Sequence, residues 1–306
     1  MRRTVTTLVI AVALLTTACD LRPSPPDFTE TTTTSTTLPG AEAVTSTTVT
    51  LPPEDERVVG TVIDVVDGDT IDIDIDGTES DLRLLGVNAP EIDECWGQEA
   101  AVALTDLIDG QQVLLVSGPE DTDSFGRLLR YVYLESDATP LFVNSHMVET
   151  GNAVALSDGS DAAATMKAYE ARAFQSGYGM WATFACGDRE GVTADRPVIR
   201  VEALDYDPPG PDADVLGLEF ITIVNEGYDA VPMGGWTLRD ESSTNRYVFD
   251  GGTVLDVGER ITVSTGCDGG PDGALYWCSS QAVWNNDGDT AIILDTLGNA
   301  VVWYTY

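Results

Sequence analysis

Thr70-Ile71-Asp72-Ile73-Asp74-Ile75-Asp76-Gly77 alternates apolar and acidic residues without a break, and this alternation decides the fold class. Successive side chains of a strand point to opposite faces, so three isoleucines share one face and three aspartates the other. Asp76-Gly77 is a tight-turn signal, and Leu82-Arg83-Leu84-Leu85-Gly86-Val87 reads as the returning strand. Further along, residues 98–108 predict a helix with Ala101, Leu104 and Leu107 at helical spacing, ended by Asp109-Gly110. Strands are expected at 113–116 and 128–134, and helices at 141–149 and 162–174, stopped by Gly151 and Gly177. The plan is a strand-rich barrel with a few helices, closing near Trp181.

From about Arg196 helical periodicity vanishes. Short strands recur at 199–203, 219–224, 236–238, 246–249, 260–264, 290–294 and 300–303, punctuated by Gly, Pro, Asp and Asn as a β-sandwich requires. We expect a mainly β protein of two folded units, 57–187 and 198–306, joined by a linker at 188–197. Residues 57–187 hold 6 basic and 23 acidic residues, a net −17, and residues 188–306 hold 6 and 21, a net −15. Neither unit is the basic partner of the other.

The 306 residues carry a net charge of −36, with 15 Lys+Arg against 51 Asp+Glu. This excludes the usual nucleic-acid binder, whose basic residues release counterions from phosphate. Lys167 is the only lysine. An Asp-rich, Lys-poor surface leaves two readings open, a saline habitat or a compositional bias of the genome. His146 is the single histidine and no Cys-x-x-Cys occurs, which argues against a zinc site built from several His or Cys.

Met1-Arg2-Arg3 followed by Leu8-Val9-Ile10-Ala11-Val12-Ala13-Leu14-Leu15 reads as a signal peptide within residues 1–19. Cleavage between Ala18 and Cys19 would leave a membrane anchor if Cys19 is lipid-modified, and would give simple secretion if it is not. Residues 20–56, with Thr31-Thr32-Thr33-Thr34-Ser35-Thr36-Thr37, bury too little apolar surface to fold and read as a disordered tether. Either exit places the protein outside the cell or on its surface, where disulfides are permitted.

The chemistry is expected around Val66-Asp67-Gly68-Asp69-Thr70 and Arg83 to Glu91. Two acids at one strand start lie near an arginine, an amide and a glutamate just past a neighbouring strand. Oxygen ligands on short loops suit a hard cation such as Ca²⁺. An arginine beside it suits phosphate, gripped by parallel hydrogen bonds, and a glutamate beside a cation can take a proton from water. Together they point to metal-assisted phosphodiester hydrolysis.

Residues 58–181 resemble the thermonuclease (staphylococcal nuclease-like) family. The resemblance rests on Asp67-Gly68-Asp69-Thr70, the Arg83-to-Glu91 segment and Asp123-Ser124-Phe125-Gly126-Arg127 with Tyr131-Val132-Tyr133. Glu94-Cys95-Trp96-Gly97-Gln98-Glu99-Ala100 and Gly179-Met180-Trp181 support it. It implies an OB-fold five-stranded barrel that cleaves DNA and RNA with Ca²⁺ as cofactor. It further implies Asp69, Asn88 and the Ala89 carbonyl as metal ligands, Asp67 behind them, Glu91 as general base, and Arg83 and Arg127 as phosphate clamps. The chain departs from the family at Asn88, where a carboxylate is usual. Ser157, Asp158 and Gly159 lie where the best-known members carry tyrosines that pack on the nucleotide.

Residues 199–306 resemble the lamin-tail domain, an immunoglobulin-like sandwich, through Glu219 to Asn225, Gly234-Gly235-Trp236-Thr237-Leu238-Arg239-Asp240 and Val283 to Thr290. That likeness leaves the domain's ligand open and implies a binding or spacing role at most. Trp236 and Trp284 read as core. With Cys19 set aside for lipid, two cysteines fall in each unit, and we expect Cys95–Cys186 and Cys267–Cys278 disulfides. Asp72 to Arg83 mimics an EF-hand loop but lacks its closing glutamate. Asp287-Gly288-Asp289-Thr290 repeats the active-site tetrapeptide and reads as a hairpin turn, and His146 reads as structural. The leading reading is an exported, lipid-anchored Ca²⁺-dependent nuclease. The alternative is a catalytically weak surface adhesion protein built from the same two modules.

Overall fold

The computed structural model describes residue 51 and residues 57–136, 139–187 and 196–306. The expected leader, Cys19, nearly all of the tether and most of the linker lie outside the described residues. The first half runs β1 (Val58–Val65), β2 (Thr70–Ile75), β3 (Thr78–Leu84), β4 (Val87–Asn88) and α1 (Gly97–Ile108). It continues with β5 (Gln112–Thr122), β6 (Leu128–Leu134), β7 (Leu141–Phe142), α2 (Val143–Glu149), β8 (Val154–Ala155) and α3 (Asp161–Ser176).

Alternation in β2 does what the sequence requires. Ile71 and Ile73 are fully buried, and Ile75 packs against the same core. Both turn residues have positive φ, 53° at Asp76 and 80° at Gly77, and Asp74 Oδ1 accepts the Gly77 N–H at 2.8 Å. The strand order β3-β2-β1-β5-β6 closes when β6 pairs with β3 in parallel, Leu82 opposite Leu128 and Arg83 opposite Leu129. The result is a closed five-stranded barrel.

Three local expectations are corrected. The returning strand stops at Leu84, and the chain turns through Gly86 (φ 71°) so that Val87 and Asn88 pair with Ala155 and Val154 of β8. The helix expected at 141–149 starts at Val143, because Leu141 and Phe142 extend the sheet beside Leu134 and Tyr133. β5 runs beyond Val116 to Thr122, with an irregular register past Ser117.

The second half comprises β9 (Ile199–Asp205), α4 (Asp212–Val215), β10 (Phe220–Asn225), β11 (Val231–Pro232), β12 (Thr237–Arg239) and β13 (Arg246–Val248). It ends with β14 (Val254–Leu255), β15 (Arg260–Ser264), β16 (Leu275–Tyr276), β17 (Thr290–Leu294) and β18 (Ala300–Thr305). Sheets β16-β15-β10-β9 and β13-β12-β17-β18 enclose Trp236, Leu238, Phe249, Trp284 and Ile293 in an immunoglobulin-like sandwich. Trp236 and Trp284 are core residues, as expected.

The Asp287–Thr290 segment starts in a turn, the Gly288 N–H donating to the Asn285 carbonyl at 3.3 Å, but it closes no hairpin. It precedes β17, which pairs with β12 and β18. Asp289 is fully buried. Its carboxylate accepts the N–H groups of Thr290 at 2.6 Å, Asn285 at 3.1 Å and Glu241 at 3.3 Å. Burial, with Glu241 and Asp240 nearby, pushes its pKa up to about 7. Burial against acids across the chain, which a tetrapeptide does not show, is what separates this site from an ordinary turn.

The barrel and the sandwich share a core. Val154, Ala173, Met180 and Trp181 pack with Ile292 and Ala300, and Phe174 stacks on Trp303 with ring centroids 5.7 Å apart. Fully burying a side chain the size of Val154, Met180 or Ile292 is worth roughly 1.5–3 kcal/mol. Both expected disulfides form: Cys95–Cys186 with Cα atoms 5.6 Å apart, and Cys267–Cys278 with Cα atoms 4.3 Å apart. Gly298 lies against the first, where a Cβ would come within 2.9 Å of Cys95 Cβ. Asn299 binds the end of the barrel unit, accepting the Cys186 N–H at 2.9 Å and donating to the Gly187 carbonyl at 3.1 Å.

Polar contacts concentrate on Lys167 of α3. Its ammonium donates to Glu241 Oε2 at 2.6 Å, Thr290 Oγ1 at 2.6 Å and the Ala155 carbonyl at 2.7 Å. Glu170, fully buried one turn along, lies 3.8 Å away. The Trp303 indole faces Glu170, but neither group reaches hydrogen-bond geometry, so Glu170 is a desolvated acid beside one cation.

Candidate active site at the barrel rim

Asp69 immediately precedes β2 and is 6% exposed. It gets there because residue 68 is glycine: a Cβ at Gly68 would sit 2.7 Å from the Cβ atoms of both Ala89 and Ala100. The Asp67–Asp69 turn can therefore press between the start of α1 and the segment after β4. Asp67 Oδ1 accepts the Asp69 N–H at 3.0 Å, which fixes Asp67 behind Asp69.

The Asp69 carboxylate is held from three sides. Oδ2 accepts the Ala89 N–H at 2.7 Å, Oδ1 accepts the Thr70 hydroxyl at 3.0 Å, and Arg83 Nη1 lies 3.1 Å from Oδ1. Burial pushes its pKa up to about 6, with Asp67 adding to the rise and Arg83, the Ala89 N–H and Thr70 pulling back.

Arg83 spans the site. Nη2 donates to Asn88 Oδ1 at 3.0 Å and Nη1 donates to the Val87 carbonyl at 3.1 Å. One guanidinium thus gathers the oxygens of Asp69, just before β2, and Asn88, in β4. Asn88 is 4% exposed, and its Nδ2 donates to the Glu241 carbonyl of the sandwich at 3.3 Å.

Arg127 approaches from the other side. Its Nε donates to Asp123 Oδ2 at 2.7 Å, and its Nη1 reaches Thr70 Oγ1 at 3.4 Å. Burial pushes the Asp123 carboxyl up, but the Arg127 guanidinium and the N–H groups of Arg127 and Phe125 together hold it below the usual range. The same guanidinium lies 5.6 Å from the Phe125 ring, which is 85% exposed.

Glu91 follows the Asn88-Ala89-Pro90 segment and is exposed. Its carboxylate has no hydrogen bond or ion pair with any described residue. Its main chain is fixed by Glu94, which accepts the Glu91 N–H at 3.4 Å and donates its own N–H to the Glu91 carbonyl at 2.8 Å. Arg246 of the sandwich forms an ion pair with Glu94.

The structure therefore brings together Asp69, Asn88, Arg83 and Arg127, with Asp67 behind them; Ala89 meets Asp69 through its N–H and not its carbonyl, and the exposed Glu91 carboxylate contacts none of them. Thr70, Asp123 and Glu241 join the site without having been singled out from the sequence. The first two stood in quoted motifs, whereas Glu241 gave no signal. His146 is half-buried and its pKa is lowered by burial, with Glu149 opposing, consistent with a structural role.

Among the described residues no cluster of three His, Cys, Asp or Glu side chains could hold a metal. The candidate cation donors are one carboxylate with amide and carbonyl oxygens. All are hard oxygens, a donor chemistry that suits a hard divalent cation, and Arg83 engages Oδ1 of both Asp69 and Asn88.

Comparison with known proteins agrees with this picture. Residues 81–183 match the model of the staphylococcal nuclease homologue family, and residues 193–306 match the lamin tail domain. The nuclease match takes in Arg83, Asn88, Glu91 and Arg127 and begins after Asp67 and Asp69. A micrococcal nuclease of Shigella flexneri is 33% identical over 128 residues, 40% of this chain and 72% of that protein. A thermonuclease of Staphylococcus hyicus is 38% identical over 79 residues, 24% of this chain and 47% of that enzyme. Protein ParB of Escherichia coli is 32% identical over 118 residues, 37% of this chain. The chain spans 66% of that protein, and 46% and 47% of two other relatives.

Proposed function

This chain belongs to the staphylococcal nuclease homologue family, and on that premise we propose that it is an exported, Ca²⁺-dependent nuclease hydrolysing phosphodiester bonds of DNA or RNA. The observation that carries the reading is the Arg83 guanidinium bridging Asp69 Oδ1 and Asn88 Oδ1, with Arg127 one hydroxyl away through Thr70.

Asp69, Asn88 and the Ala89 carbonyl would hold Ca²⁺, with Asp67 orienting Asp69. Bound there, the ion would supply positive charge beside the phosphate. Arg83 and Arg127 grip the phosphate oxygens and offset the charge that grows on them in the transition state. Asp123 holds Arg127 by its Nε, which leaves the outer guanidinium edge for that contact. Glu91, exposed and free of partners among the described residues, takes the proton of the attacking water.

Export is supported by the leader pattern and by the two disulfides, which belong to oxidising compartments. Cys19 is the proposed lipid-attachment point, and 57–187 and 198–306 are the proposed domain limits. A second reading, a surface module that binds without efficient turnover, is favoured by the amide at position 88, which removes one ligand charge. A fluorescence assay with nucleic acid and Ca²⁺ across salt concentrations separates the two. Cleavage lost on chelation and in Glu91→Gln supports the nuclease. Zero turnover at every salt level hands the case to the binding module.

A further inference from the structure

We propose that Glu241, a residue of the lamin tail domain, is a positioning residue of the nuclease site: it sets which way the Asn88 amide faces. This inference rests on the reading of Asn88 as a cation ligand.

The Asn88 amide has one oxygen and one NH₂ and two fixed neighbours. Arg83 Nη2, 3.0 Å away, has only protons to give. The Glu241 carbonyl, 3.3 Å away, has only lone pairs. A single amide orientation satisfies both, with Oδ1 toward Arg83 and Asp69 and Nδ2 toward the sandwich. The reverse flip would face NH₂ to guanidinium and oxygen to oxygen.

Glu241 itself has little freedom. It is 4% exposed, and its N–H donates to Asp289 at 3.3 Å. Its carbonyl also accepts from Arg239 at 3.2 Å. Its carboxylate accepts the Ser157 N–H at 2.6 Å, the Ser157 hydroxyl at 3.1 Å and the Lys167 ammonium at 2.6 Å. Ser157 lies just beyond β8, the strand paired with Asn88, so main chain and side chain of one residue grip both sides of that pair.

This arrangement gives a reason for an amide at position 88. A carboxylate there has no proton for the Glu241 carbonyl and would set oxygen against oxygen at the seam. The amide yields one negative charge at the cation site and gains a contact through which docking of the lamin tail is felt at that site. The Arg246–Glu94 ion pair acts in the same direction on the main chain of Glu91.

The test is direct Ca²⁺ binding by calorimetry on the full chain in a double-mutant cycle. Glu241→Ala keeps the main-chain carbonyl but removes the carboxylate that fixes it through Ser157 and Lys167, and is expected to weaken Ca²⁺ binding roughly tenfold, the usual cost of losing outer support for a ligand. In the Asn88→Asp background, where either oxygen can face the ion, the same change is expected to cost less than about twofold. Glu241→Gln, near-isosteric, should show the same pattern at smaller amplitude and serves if the alanine variant does not fold. Equal weakening in both backgrounds, or none in either, overturns the positioning role while leaving the nuclease reading intact. A wild-type chain that binds no Ca²⁺ overturns that reading first.

Discussion

Replacing Lys167 by methionine tests the seam between the two domains most directly. Methionine retains most of the side-chain volume but deletes the ammonium that binds Glu241, Thr290 and the Ala155 carbonyl. It leaves Glu170 and Glu241, with side chains 0% and 5% exposed, facing each other with no cation between them. Breaking a buried ion pair from one side costs about 3–5 kcal/mol. At about 2–4 °C per kcal/mol for a body of this size, the unfolding midpoint at pH 8 should fall by roughly 6–20 °C. The loss must also depend on pH. Burial pushes the Glu170 pKa up from 4.5 to about 7, against the pull of Lys167 and with Glu241 adding to the rise. The folded protein thus holds this proton more tightly than the unfolded chain. The resulting stabilisation is full below about pH 4.5 and is lost as pH rises through 7. Removing Lys167 takes away the largest downward pull, leaving the weaker ones of the Trp303 indole and the Ala155 main chain, so Glu170 stays protonated to higher pH and the variant is penalised mainly above neutrality. Calorimetric melts with disulfides intact should show a gap between wild type and variant at pH 8 at least about twice that at pH 5. A gap that is the same at both pH values would refute the account of Glu170 as an acid held by this one lysine.

Three further outcomes follow from the geometry. Asp69 must be ionised to hold a cation, and burial raises its pKa to about 6, so Ca²⁺ affinity should fall about tenfold per pH unit below 6 and level off above 7; a flat titration from pH 5 to 7 contradicts this. The Cys95→Ser, Cys186→Ser double variant opens a link between residues 91 apart in sequence and should lose about 4–5 kcal/mol, read as a lowered denaturant midpoint; an unchanged midpoint means the shared core already closes that loop. Phe125 is 85% exposed beside Arg127, so Phe125→Ala should leave stability unchanged but raise KM for nucleic acid by about fivefold or more with kcat retained, since base stacking is worth roughly 1–3 kcal/mol; an unaltered KM removes the ring from the substrate path.

What the sequence made legible was local. Thr70–Ile75, Leu128–Leu134, Arg260–Ser264 and Thr290–Leu294 carry their strand signal in their own alternation or β-branched content, and the structure has strands there. The site could be read for the same reason: Asp67 to Asp69, Arg83 to Glu91 and Asp123 to Arg127 are short loops tied to those strands. What escaped was whatever depends on a partner distant in sequence. Leu141 and Phe142 look helical until Leu134 and Tyr133 are beside them. Ser117-Gly118-Pro119 looks like a strand end, yet β5 continues past it. Lys167 and Glu241 are 74 residues apart, and nothing in either neighbourhood marks the other. Counting charge by domain, −17 and −15, hid that one cation of the barrel unit serves acids on both sides of the seam.

The solitary lysine has a practical consequence. Its ammonium is engaged by three acceptors between the two domains and its side chain is 14% exposed, so an acylating reagent such as an activated ester reacts slowly while those contacts hold and faster when the seam opens. Because no other side chain in the sequence carries a primary amine, the mass shift on the peptide containing residue 167 is a built-in clock for that opening. Its rate, compared with and without Ca²⁺ or nucleic acid, reports how tightly occupancy of the rim holds the two domains shut, with no label added to the protein.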